Sequence, residues 1–254
     1  MTVEILVGDS RARLKELPAG SVHCCITSPP YFGLRDYGHD GQIGLEASPD
    51  AFVAALVEVF REVRRVLRDD GTLWLNLGDS YAAHSARTNM PAETLAGGIA
   101  SEGEEKTYRG DRGGPKDRVR NRPGNKMALR SARSIGLKHK DLIGIPWRAA
   151  FALQADGWYL RQDIIWHKPN PMPEGQLDRC TKAHEYLFLL SKSQRYYFKG
   201  EAIAEPLGAA SIERAKVADG DLIGTRNKRS VWTVTTQPFA GAHFATFPPA
   251  LIEP

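Results

Sequence analysis

The chain has 254 residues, of which 42% are hydrophobic and 25% charged. That composition excludes a largely disordered protein and suffices for a sizeable core. No apolar run approaches the roughly 18 residues needed to span a bilayer. Asp9 comes too early for a signal peptide, and adjacent Cys24 and Cys25 with a single further Cys180 do not make a disulfide framework. The expectation is a reduced, cytoplasmic protein without a membrane anchor.

In chain order, a strand is expected at Val3–Val7 and another at Val22–Thr27 (VHCCIT), whose continuous apolar character suits burial on both faces. The clearest helix runs from Ser48 to Arg68. Ser48 is a good N-cap, Pro49 suits the first turn, and Gly71 lies just beyond the end. Phe52, Leu56, Val59, Phe60, Val63 and Val66 fall on one stripe of it. A strand at Thr72–Leu77 follows, then a helix at about Asp141–Ala155, then strands Trp158–His167 and His184–Leu190. The Pro-rich loop between the last two allows them to pair antiparallel. This order predicts an open α/β sheet with an antiparallel edge hairpin.

The net charge of +4 is unevenly spread. Residues 106–140 hold twelve Lys or Arg against two acids, so the remainder of the chain is net negative. Residues 82–140 therefore read as a basic insertion rich in Gly and Pro, with Arg118, Arg120, Arg122, Lys126 and Arg130 offered to a polyanion such as double-stranded DNA. A solvated linker fits the charge alone equally well. Residues 1–81 and 141–200 form the expected core, and 201–236 a variable segment that is a candidate for target recognition.

At the end of VHCCIT stands Thr27-Ser28-Pro29-Pro30-Tyr31, where an open α/β sheet binds its ligands. Ser28 offers a hydroxyl, Pro29 a carbonyl with no competing N–H, and Tyr31 a flat ring. Together they suit a planar heterocycle bearing an exocyclic amine: two acceptors for its N–H bonds and a platform for its face. A Ser-Pro-Pro turn with no chemistry is the bland alternative.

These residues resemble the fourth motif of DNA amino-methyltransferases, the enzymes that form N4-methylcytosine or N6-methyladenine. GTLWLNLGDSYA, KDLIGIPWRAAFALQADGWYLRQDIIWHKPNPMPEG, TKAHEYLFLLSKSQRYYF, RNKRSVW and HFATFPPALIEP extend the resemblance along the chain. Their order is that of the permuted members, in which the catalytic half precedes the cofactor half. The resemblance implies a class I, Rossmann-like sheet and S-adenosylmethionine as methyl donor. It also implies a flipped base held by Ser28, Pro29, Pro30 and Tyr31, in a restriction–modification enzyme or an orphan relative. Ser at the first position resembles the cytosine-N4 enzymes, with adenine N6 the alternative. A silent DNA-binding fragment, or methylation of a protein glutamine or an RNA base, are further alternatives.

None of the cysteines follows a proline, unlike the nucleophile of the C5-cytosine enzymes, and Cys180 with His184 lacks the second ligand pair of a zinc site. No metal is expected. By resemblance, Asp9, Thr246 and Phe247 border the cofactor, with Thr246 and Phe247 in a motif X-like segment at 237–254. A turn-forming role for Asp9 and a core role for Phe247 stand equally open. His184 and Glu185 read as strand-to-loop hydrogen bonding rather than acid–base chemistry.

The family's Gly-rich cofactor turn has no counterpart, since Gln237-Pro238-Phe239-Ala240-Gly241 lacks the preceding acid and the following Ser-Gly. The sheet is accordingly expected to be incomplete, with VHCCIT on a bare edge and weak cofactor binding by the chain alone. A second polypeptide is then one source of the missing turn.

Overall fold

The structure is a computed structural model that describes residues 3–82, 135–208, 224–237 and 246–253. Helix α1 (Ser10–Glu16) leads to strand β1 (Val22–Thr27), helix α2 (Pro49–Val66) and strand β2 (Leu67–Leu77). Helix α3 (Ile145–Ala155) and strands β3 (Tyr159–His167) and β4 (His184–Ser191) follow. Short strands β5 (Glu205–Pro206), β6 (Thr225–Arg226) and β7 (Val231–Thr233) follow, with 3-10 turns at Gly200–Ile203 and Pro249–Leu251.

Five strands form one sheet in the order β1-β2-β4-β3-β7. β1 runs parallel to β2, β4 pairs antiparallel with both β2 and β3, and β7 pairs parallel with β3. The expected β3–β4 hairpin is present, and three-residue β7 extends the sheet past it. That puts part of the 201–236 segment in the core sheet, with Trp232 buried beside Trp74.

The Ser48 hydroxyl accepts the Ala51 N–H at 3.1 Å, and Pro49 opens the first turn, so α2 starts where its sequence directs. Its stripe of Phe52, Leu56, Phe60 and Val63 packs with α3 (Ala149, Leu153) over Leu73, Leu75 and Leu77 of β2 and Phe188 and Leu190 of β4. Full burial of each such side chain contributes roughly 1.5–3 kcal/mol. On the opposite face a smaller cluster joins Ile164, Trp166, Leu187, Trp232 and Leu251.

The expectation of a strand at Val3–Val7 fails. These residues belong to no strand, and Val3 and Ile5 are more than four-fifths exposed. A strand exists only beside a partner strand, and no described strand pairs with this segment. The expected bare edge is observed at β1. Among the described residues it has one partner, β2, and Ile26 is 46% exposed. No described helix is long and apolar enough to cross a membrane.

Candidate active site

β1 ends at Thr27, beside Leu75 of β2, and the chain turns through Ser28-Pro29-Pro30-Tyr31 across the end of the sheet. Gly44 closes this turn from the far side with φ 110°. A Cβ there would stand 3.2 Å from the Tyr31 carbonyl and 3.3 Å from Pro30 Cβ, so both the angle and the space call for glycine. Its carbonyl accepts the Gly33 N–H at 2.7 Å, which ties the two ends of the loop together. Ser28, Pro29 and Pro30 are half-buried. Among the described residues, neither the Ser28 hydroxyl nor the Pro29 carbonyl has a hydrogen-bond partner. Both remain available as acceptors.

Tyr31 is fixed at both ends. Its ring lies against Gly78 so closely that a Cβ at that glycine would come within 2.5 Å of Cε2. Its hydroxyl donates to Glu185 Oε2 at 2.7 Å, with Asn76 Oδ1 at 3.1 Å as a second contact. Asn76 Nδ2 donates to Glu185 Oε2 and to the Tyr186 carbonyl, each at 3.1 Å. The Lys168 ammonium pairs with the other carboxylate oxygen of Glu185 and sits 4.3 Å from the centre of the Trp166 ring. Burial, then the neighbouring Glu185 charge, raises the Tyr31 phenol well above its ordinary value, so it is a neutral donor.

Asp79 follows β2 and accepts the N–H groups of Ser80, Gly144 and Ile145, thereby capping the start of α3. Burial raises its carboxyl, against the pull of Lys182, whose ammonium burial in turn lowers. The loop joining β3 to β4 is strapped over this end of the sheet. Arg179 stacks on Tyr81 with 4.0 Å to the ring centre, and Lys140 pairs with Asp178 at 2.6 Å.

The thiols are poor nucleophiles here. Burial pushes Cys25 up to about 12 and also raises Cys24. Asp9 caps α1, accepting the Arg11 N–H at 2.8 Å, and pairs with the Arg11 guanidinium, which holds its carboxyl below the usual range. Thr246 is exposed, and Phe247 packs on the smaller core cluster. Arg118, Arg120, Arg122, Lys126 and Arg130 lie outside the described residues, as does Pro238–Gly241.

The sequence located the turn and read Glu185 as a strand-to-loop hydrogen bonder, which its bond to Tyr31 is, but Asn76 was missed. Asn76 is a polar residue inside the otherwise apolar run TLWLNL, and that interruption was the available signal.

A family model described as DNA methylase matches residues 22–254. The Type II methyltransferase M.Cfr9I of Citrobacter freundii is 50% identical over 247 residues, covering 97% of this chain and 69% of that protein. M.SmaI of Serratia marcescens is 45% identical over 248 residues, covering 98% and 72%. Among solved structures, the PvuII DNA methyltransferase (cytosine-N4-specific) aligns with a TM-score of 0.51 at 14% identity, which is a likeness of fold. It covers 93% of this chain, which spans 58% of that structure. The chain belongs to the DNA methylase family whose model it matches. The fold is that of an α/β methyltransferase.

Family membership makes S-adenosylmethionine the methyl donor. Asp9 is engaged by Arg11, Phe247 is committed to packing, and Thr246 is one exposed hydroxyl.

Proposed function

We propose that this chain carries the base-holding machinery of a site-specific DNA methyltransferase of the restriction–modification type, acting on the N4 amine of cytosine. The observation that carries the reading is the pair of unspent acceptors, Ser28 Oγ and the Pro29 carbonyl, on a turn that also holds an immobilised Tyr31. An exocyclic amine is a weak nucleophile because its lone pair is conjugated with the ring. Two acceptors drawing its N–H bonds out of the ring plane free that lone pair, and they act most strongly as the transition state forms. Bound S-adenosylmethionine supplies the electrophilic methyl group. Tyr31 offers its ring to the face of a base turned out of the duplex, and Pro30 stiffens the turn between them. The choice of cytosine over adenine rests on Ser28 at the first position of the motif.

The basic segment fits the same reading. Ala82 and Ile135, the described residues on either side of it, both belong to the core, and Lys140 nearby pairs with Asp178 of the strapped loop. Arg118, Arg120, Arg122, Lys126 and Arg130 are proposed as phosphate contacts flanking the target.

Nucleoside analysis of mixed-sequence DNA treated with S-adenosylmethionine and a version of the protein supplied with the Gly-rich cofactor turn tests the proposal. N4-methylcytosine is expected, and Ser28→Ala lowers its yield by about two orders of magnitude with DNA affinity unchanged. N6-methyladenine in its place reassigns the base, and wild-type turnover in the variant removes Ser28 from the mechanism.

A further inference from the structure

We infer that Glu185, held by Lys168, is the positioning residue that sets the Tyr31 ring in the orientation needed to receive a base. This inference rests on the base-holding role of Tyr31 proposed above. Glu185 stands at the start of β4, one strand beyond β2, and reaches back over Asn76 to the Tyr31 hydroxyl. All three of its partners are donors: the Lys168 ammonium, the Tyr31 hydroxyl and the Asn76 amide nitrogen. Only an acceptor without donors of its own satisfies that set, and an ionised carboxylate is such a group. Glutamine has the same shape, but it must turn its NH2 toward either Lys168 or the Tyr31–Asn76 pair.

The arrangement also has a direction. Lys168 pulls Oε1 at the β3 end of the loop, leaving Oε2 aimed at Tyr31. Asn76, nearly fully buried, fixes the same oxygen from below and is itself anchored on the Tyr186 carbonyl. With Gly78 blocking retreat of the ring, the phenol has one place to sit. A platform pre-set in this way loses little side-chain freedom when a base lands on it.

The test uses the 254-residue chain with 13C-labelled tyrosine rings, Tyr31→Phe identifying the Tyr31 signal. Short single-stranded oligonucleotides of mixed sequence are titrated in, and the ring-current shift at Tyr31 is followed. Glu185→Gln and Lys168→Met are expected to weaken the binding read at Tyr31, the former by roughly tenfold. Fluorescence anisotropy gives overall binding for Tyr31→Phe and for the double variant with Glu185→Gln. The double variant is expected to bind no more weakly than the worse single one, because both act through one hydrogen bond. Thermal melting separates a loss of fold from a loss of orientation, and Glu185→Gln is expected to keep a cooperative transition. A Tyr31 signal that moves equally in wild type and Glu185→Gln overturns this inference alone. A wild-type Tyr31 signal that no oligonucleotide moves overturns the base-holding reading, and this inference with it.

Discussion

β1 and β2 lie side by side and parallel, and their sequences, VHCCIT and TLWLNL, have similar apolar character. Their surroundings differ. Leu73, Leu75 and Leu77 of β2 are completely buried between α2, α3 and β4, whereas His23, Cys24 and Ile26 of β1 are exposed. The contrast separates two meanings of an apolar strand. In β2 it records a covering that the described residues supply. In β1 it records suitability for a covering, and the described residues supply only half of one. Function follows the same division. The end of β2 carries the rigid support (Asn76, Gly78, Asp79), while the end of β1 carries the unpaired acceptors proposed to meet a base.

The contrast breaks first on stability. Leu75→Ala removes packing from a closed core and is expected to cost about 2–5 kcal/mol in urea unfolding. Ile26→Ala on the neighbouring strand is expected to cost less than about 1 kcal/mol. Equal losses would mean that β1 is covered in solution as β2 is.

A smaller effect is expected from Gly78→Ala, which asks whether the support at the end of β2 is as rigid as its geometry. The new methyl meets a ring whose hydroxyl is tied to Glu185, at an expected cost of about 1–3 kcal/mol. A variant as stable as wild type would show that the Tyr31 ring can swing aside.

The thiols of β1 sharpen the contrast residue by residue. With a disulfide reagent at pH 8, exposed Cys180 is expected to react first, Cys24 more slowly, and Cys25 only on unfolding. The folded-state value of Cys25 lies above its ordinary 9.0, so its contribution to stability is complete below 9.0 and is lost as pH rises toward 12. Rapid modification of Cys25 in the folded protein would open the inner face of β1 as well as its edge.

Much of this was legible in the chain, for reasons that differ by element. α2 could be read because cap, proline and apolar stripe all point to the same start and face. β2 begins at Leu67, five residues before the expected Thr72, because Leu67 pairs with Val22 of β1; the ladder then skips residues 68–71 at an irregularity and resumes at Thr72 opposite Cys24. α3 begins at Ile145 rather than near Asp141, since Gly144 is left-handed and Asp79 caps the helix from another strand. β7 is three residues long and gains its strand character from β3 alone, so no pattern announces it. The turn at Ser28–Tyr31 is local and was read directly. Glu185 lies 154 positions from Tyr31, a partnership that only the β4 register creates.

Residues 80–82 and 140–143, on either side of residues 83–134, are joined by backbone hydrogen bonds. Ala82 donates to the Asp141 carbonyl at 2.8 Å, Lys140 donates to the Ala82 carbonyl at 2.9 Å, and Ile143 donates to the Ser80 carbonyl at 2.9 Å. Exit and re-entry are thus one small splice in the scaffold, and its bonds do not depend on the sequence spliced in. Doubling the length of such an excursion adds only about 0.6 kcal/mol of closure entropy. A longer or shorter segment at this point is therefore expected to leave the stability of the core nearly unchanged. The splice thus fixes where residues 83–134 join the scaffold, through backbone bonds that their own sequence does not supply.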